Sequence, residues 1–209
     1  MRSATEDLTT RARIRDAAVT VFGDQGFGVG VRAIAAAAGV SPGLVIHHFG
    51  SKDGLREACD NHVREVIRTA KTEYVQHPSP GGLLQQLAEI EDFAPHMAYL
   101  MRSFQAGGAL TLSFYEHMLA DVEEYLRLGV EAGTLRAPRD LKAMARYVAT
   151  TNGGGMMLFL QLYAARNEGR MDFRKALREY ADQMMVPALE IYTNGMLTDS
   201  TALETLTQQ

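Results

Sequence analysis

Cysteine occurs once in the 209 residues, as Cys59. An intramolecular disulfide is therefore impossible and a cysteine-rich zinc site is excluded. No run of about 18 apolar residues appears, so no transmembrane span is expected. The first ten residues are polar, carry Glu6 and Asp7, and lack the apolar stretch of a signal peptide, so the protein is expected in the cytoplasm. Tandem repeats and convincing strand alternation are absent too. So are an HExxH motif, a Glu-x-x-His pair of the di-iron kind and a Gly-rich phosphate loop, and the six histidines are scattered. A helical enzyme would lack its nucleophile, base or metal constellation, and neither metal nor cofactor is expected.

What is present is helical periodicity and enough apolar residues, 46%, to bury a core. Leu8, Ile14, Ala17, Ala18, Val21 and Phe22 follow three-and-four spacing, and Gly23, Gly26 and Gly28 are expected to end that first helix. Val31, Ile34, Ala35 and Ala38 form one face of a short second helix, stopped by Gly39. A third short helix runs from Pro42 to Phe49, with Ser41 as N-cap and Pro42 in its first turn. After Gly50, Ser51 caps a long helix striped by Leu55, Cys59, Val63, Val66, Ile67, Ala70 and Tyr74. On that stripe Cys59 reads as a buried core residue, the alternative being a redox-sensing thiol.

Gln76 to Gly82 holds two prolines and two glycines and reads as a linker between a small helical domain and a larger one. Beyond it, amphipathic segments span about Leu83–Asp92, Pro95–Gln105, Leu110–Gly129, Arg139–Arg166 and Asp172–Leu197. The Ser-, Thr- and Gln-rich remainder reads as a frayed tail. The glycines at 153–155 interrupt an otherwise helical stretch, at about 1 kcal/mol each against alanine. A close helix crossing, a kink beside a cavity and a plain loop are all compatible with them.

Net charge is −4, with an uneven distribution. Residues 1–77 hold 10 basic and 9 acidic side chains, and the rest of the chain holds 11 and 16. A small basic excess at one end is thus attached to an acidic body, a weak sign of a nucleic-acid partner. The stretch from Gly30 to Lys52 gives it substance. Two short helices joined by Gly39-Val40-Ser41 have helix-turn-helix spacing, which presents the second helix to a major groove.

The combination of Arg13-Ile14-Arg15-Asp16-Ala17-Ala18 with Phe22 and Gly26, Arg32-Ala33-Ile34-Ala35, Ala38-Gly39-Val40-Ser41 and His48-Phe49-Gly50-Ser51-Lys52-Asp53 with Leu55 resembles the TetR family of transcriptional regulators. It covers about the first quarter of the chain. The resemblance implies an all-α fold: an N-terminal three-helix helix-turn-helix domain at 1–50, a fourth helix at about 51–76 that connects, and a larger helical ligand-binding and dimerisation domain at 77–197. A flexible tail at 198–209 follows. It also implies a regulator, a repressor in the family's usual mode, that leaves a palindromic operator when a small, largely apolar effector binds. The expected partners are double-stranded DNA, the effector and a second copy of the chain, with no membrane. A helical small-molecule or lipid carrier that keeps a vestigial helix-turn-helix is the alternative.

Carried over by position, the DNA contacts are Arg32, Ser41, Gly43, Leu44, His47, His48 and Lys52, with Arg11 and Arg13 near the backbone. Two departures stand out. Ile46 takes the place of a common tyrosine, and Gly30 that of a common threonine cap. The third helix also lacks Arg, Lys, Gln and Asn, so base readout is expected to be sparse and shared with DNA shape. The resemblance also implies a ligand cavity in the larger domain, with Phe93, Met97, Met101, Phe104, Phe114, His117, Met118, Asn152, Met156 and Phe159 as its candidate residues and ordinary core as the alternative for the apolar ones. Arg102, Gln105 and Gln161 are further polar candidates. Val148, Tyr163, Leu177, Tyr180, Met184, Ala188 and Ile191 are the expected dimer contacts, on helices that would set the recognition helices about 34–36 Å apart.

Overall fold

A computed structural model describes residues 4–207. The first three residues of the expected DNA-binding domain and the last two of the expected tail lie outside the described residues. The described chain is helical throughout: α1 (Ala4–Gln25), α2 (Val31–Ala38), α3 (Pro42–Phe49), α4 (Lys52–Gln76), α5 (Pro80–Ala88), a 3-10 turn (Ile90–Phe93), α6 (Ala94–Gln105), α7 (Gly108–Glu131), α8 (Leu141–Arg166), α9 (Phe173–Asn194) and α10 (Thr201–Thr207).

The first three helices and the start of α4 close over one core of Ile14, Ala18, Phe22, Ile34, Val45, Leu55, Cys59 and Val63. A residue from far along the chain, Tyr99 of α6, is buried in the same core. Two further clusters build the body. Val122 of α7 packs against Ala145, Val148 and Ala149 of α8, while Phe159, Leu160 and Tyr163 of α8 pack against Ala176 of α9. The α4 helix runs from the head into the body, where Thr134 donates a hydrogen bond to the Val75 carbonyl near its end.

Several local expectations need correction. Gly23 does not end α1: it is helical and buried, and the left-handed residue that stops the helix is Gly26, at φ 79°. The reason is a close approach. A Cβ on Gly23 would lie 2.9 Å from the Ala98 Cβ and 3.1 Å from the Tyr99 nitrogen, so only glycine lets α6 lie against α1 here. The linker shrinks to His77–Ser79, because Ser79 caps α5 by accepting from the Gly82 nitrogen at 2.9 Å and Pro80 fits a helix's first turn. The glycines at 153–155 stay within continuous α8, and no atom outside their own helix turn comes within 4 Å of a Cβ built on any of them. They form no loop and, among the described residues, no crossing. The segment read as a tail carries α10, whose side chains are all exposed.

Among the described residues no helix is long and apolar enough to cross a membrane. For Gly23→Ala the new Cβ already meets the Ala98 Cβ and the Tyr99 backbone, so overpacking outweighs the gain of about 1 kcal/mol in helix propensity. For Gly23→Val the branched side chain must push α6 away, and the unfolding free energy in urea should fall by about 1–3 kcal/mol. An unchanged urea midpoint would show that the approach is not tight.

Candidate nucleic-acid interface and effector cavity

The turn between α2 and α3 is set by three residues. Gly39 takes the left-handed conformation, φ 64° and ψ 39°, and its nitrogen donates to the Ala36 carbonyl at 3.1 Å while the Val40 nitrogen donates to that of Ala35 at 2.9 Å. This satisfies the end of α2 in the manner of a glycine C-cap. Val40 packs against the core, and the Ser41 hydroxyl accepts from the Leu44 nitrogen at 3.3 Å to start α3. Val45 and Phe49, one turn apart, anchor α3 from beneath, and the Arg11 guanidinium covers the Phe49 ring at 4.8 Å. The opposite face of α3 is left to solvent.

None of the seven expected DNA contacts is buried. Arg32, Ser41, Gly43 and His47 are exposed; Leu44, His48 and Lys52 are half-buried. His48 keeps ring contacts with His47 and Phe49. Lys52 opens α4, where the Ser51 hydroxyl accepts from the Gly54 nitrogen at 3.0 Å, at a helix N-terminus of the kind that favours an anion. Ile46 was not among the expected contacts, yet it is 42% exposed beside His47 on the same face. Its signal was in the sequence: with Val45 and Phe49 turned inward, helical spacing puts positions 43, 46 and 47 outward.

In the body, a cavity of about 30 Å³ lies between α4, α6 and α7, lined by Arg64, Ile67, Arg68, Leu100, Phe114, Met118, Asp121, Val122 and Tyr125. Of the ten residues expected in a pocket, it gathers Phe114 and Met118. Phe104 meets Phe114 edge-on at 5.8 Å. Met101, Met156 and Phe159 belong to the separate α8–α9 cluster, and Phe159 meets Tyr180 edge-on at 5.2 Å. Phe93 and Met97 are half-buried, with the Phe93 ring beside His96. His117 is exposed, and Asn152 on the outside of α8 accepts from the Tyr192 hydroxyl at 3.3 Å. The charged residues at the cavity are instead Arg64, Arg68 and Asp121, and Arg64 and Asp121 are ion-paired at 2.9 Å across α4 and α7. Side chains from three helices meet there, which no single periodic stripe announces.

Arg102 does not face the cavity. Its guanidinium donates to the Gly23 and Asp24 carbonyls at 3.0 and 3.2 Å, a cation seated on the end of α1. One turn earlier, Tyr99 sets its ring against Phe22 and Phe27 and donates its hydroxyl to Asp60 Oδ1 of α4 at 2.6 Å. Burial holds the Tyr99 phenol neutral, far above its ordinary pKa, and pushes the Asp60 carboxyl up. Burial also raises the Cys59 thiol to about 12, so Cys59 is a core residue rather than a redox-sensing thiol.

Three expected dimer residues are used within the chain. Val148 and Tyr163 pack into its own clusters, both at 8% exposure, and Leu177 is buried at 2%. Tyr180 and Ala188 are half-buried, while Met184 and Ile191 stay exposed. The surface of α8 and α9 is carried by others: Met144, Tyr147, Leu158 and Leu162 on α8, and Val186 and Tyr192 on α9.

Residues 14–59 match the family model described as bacterial regulatory proteins, tetR family, and residues 91–198 match the tetracyclin repressor-like C-terminal domain. The chain belongs to the TetR family of transcriptional regulators. It is 53% identical over 204 residues to the HTH-type transcriptional regulatory protein RaaS of Mycobacterium tuberculosis, covering 98% of this chain and 93% of that protein. It is 30% identical over 155 residues to the HTH-type transcriptional regulator BetI of Brucella canis, covering 71% of this chain and 75% of that one. Among solved structures it shares its fold with Salmonella enterica GusR, at TM-score 0.53 and 22% identity over 85% of this chain and 96% of that one. A SmeT–triclosan complex matches at TM-score 0.51 and 22% identity, over 83% and 90%. The all-α class and the helix-turn-helix regulator expected from the first quarter of the chain therefore hold.

The joint between head and body also carries His62 of α4, 3.5 Å from Asp16 of α1, and His96 of α6, whose ring lies 5.9 Å from that of His62. Burial, with Arg15 nearby, holds both below the ordinary 6.5, although Asp16 acts in the opposite sense. As pH falls through about 6.5 the unfolded chain therefore takes up protons before the folded one, and stability is lost. Urea midpoints should drop from about pH 7 to pH 5.5, and His62→Gln combined with His96→Gln should flatten that slope. A slope unaffected by the double change would contradict the assignment.

Proposed function

We propose that this TetR-family chain is a repressor that grips a palindromic operator as a homodimer and leaves it when a small, largely apolar effector binds. The observation that carries the reading is the outer face of α3. Val45 and Phe49 lock the helix from beneath, so Gly43, Leu44, Ile46, His47 and His48 form a rigid ridge flanked by Arg32 and Lys52. Arg32 supplies a bidentate donor for a guanine edge, and Lys52 with the start of α4 takes a phosphate. Ser41 orients the ridge and adds a hydroxyl. Ile46 and Leu44 offer methyl contacts to thymine where a tyrosine hydroxyl would otherwise reach a phosphate. With so few base-reading groups, operator shape carries part of the specificity.

The apolar outer face of α8 and α9 supports the dimer. Met144, Tyr147, Leu158 and Leu162 recur at helical spacing around Gly154 and Gly155, and Val186, Ile191 and Tyr192 extend the patch, with Tyr147 at 62% and Val186 at 71% exposure. A contiguous patch of this kind is costly to leave in water, and a twofold axis would cover it with its own copy. The cavity supports effector control through its lining rather than its size. A drug-sized ligand needs about 300–1,000 Å³, so a cavity near 30 Å³ admits one only if α4, α6 and α7 part. An effector that stabilises the parted arrangement shifts the population away from the DNA-bound one.

Duplex DNA flanking the protein's own gene should be bound by the wild type in a gel shift. Arg32→Ala should cost about 1–3 kcal/mol, with the loss concentrated at one base position of an operator series. An equal loss on every variant operator would reassign Arg32 to the backbone. Leu158→Glu should turn the dimer into a monomer in sedimentation and weaken operator binding by about tenfold or more. A dimer that survives the charge would move the interface elsewhere.

A further inference from the structure

Head and cavity are separated by very little. Tyr99 and Leu100 are neighbours on α6: Tyr99 is in the head's core and Leu100 is in the cavity wall. Asp60 and Arg64 are one turn apart on α4: Asp60 accepts from the Tyr99 hydroxyl, and Arg64 lines the cavity, where it holds Asp121 of α7. Successive residues on a helix point about 100° apart, and those four apart lie on one face. A displacement of α6 or α7 at the cavity is therefore delivered to the head over one helical turn.

We propose that the Tyr99–Asp60 hydrogen bond is the latch through which the cavity controls the head, with Tyr99 as a positioning residue that never touches DNA or effector. The inference rests on the regulator reading above and names its route. Three features single out this pair. The phenol is fully buried and both its acceptors, Asp60 Oδ1 and the Arg56 carbonyl at 3.3 Å, belong to α4, so its hydroxyl has no water to fall back on once α4 moves. The acceptor, Asp60 Oδ1, is half-buried and only 2.6 Å away, which makes the bond short and directional. Gly23 and Arg102 already clamp α6 to the end of α1, so those two helices behave as one piece, and α4, which runs from the shared core past the cavity, is the element that slides against them as it tilts. The latch spans that sliding surface. Breaking it would leave the head folded and still able to bind DNA, but deaf to the cavity.

Coupling between two sites is reciprocal, so operator DNA can report on it without any effector in hand. The probe is a duplex carrying the DNA that flanks the protein's own gene, added to saturation to the full-length dimer. The readout is amide hydrogen exchange over residues 114–125, on the far wall of the cavity. In the wild type DNA should slow exchange there by about fivefold or more, the lower end of usual allosteric coupling. Tyr99→Phe and Asp60→Ala should bring the effect below about twofold while operator affinity stays within about threefold of wild type. Asp60→Asn keeps an acceptor oxygen and should retain the effect.

Full protection of residues 114–125 in Tyr99→Phe would overturn the proposal, as would a wild-type response confined to α1–α4. If Tyr99→Phe itself abolished operator binding, the hydroxyl would be holding the head together rather than signalling, and the latch would fall. A wild type that ignores the duplex altogether would instead overturn the repressor reading on which the latch rests.

Discussion

The close approach of α6 to α1 is the constraint from which most of the molecule follows. It needs a residue without a side chain at position 23, because any Cβ there meets Ala98 and the Tyr99 backbone. Given that glycine, Tyr99 can reach between Phe22 and Phe27, and Arg102 can seat on the last carbonyls of α1. A three-helix head of about fifty residues buries little surface by itself. By taking one aromatic from the body it completes its core, and in exchange its orientation becomes a property of the whole chain.

The reading ridge depends on that arrangement twice. Its rigidity comes from Val45 and Phe49, which rest on the same core that Tyr99 fills. Its direction comes from α1 and α4, which meet the body at α6 and α7. Charge works alongside. The acidic excess lies beyond residue 77 and the basic excess within residues 8–52, a distribution that favours a polyanion at the head over one at the body.

How much of this could be read from the sequence depended on the range of the interactions involved. Gly39-Val40-Ser41, Ser51-Lys52 and the inward pair Val45 and Phe49 act within a few residues of themselves, and the head was legible down to its caps. Gly23 was misread as a helix terminator because the reason for it, Ala98, lies 75 positions away. Arg102 looked like a pocket residue for the same cause. In the body, periodicity gave the helices but not the partner of each stripe: Val148, Tyr163 and Leu177 recur at helical spacing whether the facing helix is the chain's own or a copy's. The run at 153–155 stays helical despite three glycines, with no neighbour among the described residues within 4 Å of a Cβ placed there. Ile46 was noticed as a departure from a family pattern, when its place on the exposed side of α3 was the more useful fact.

The account stands on one spatial claim, that the outer face of α3 enters a DNA groove in step with the same face of a second subunit. Hydroxyl-radical footprinting of the intact protein on the DNA beside its own gene tests it most directly. Two protected patches should appear on one face of the duplex, offset by a whole number of helical turns, and both should fade when Ile46 and His47 are replaced by glutamates. Protection without helical phase, a single isolated patch, or a footprint indifferent to those two substitutions would contradict the account.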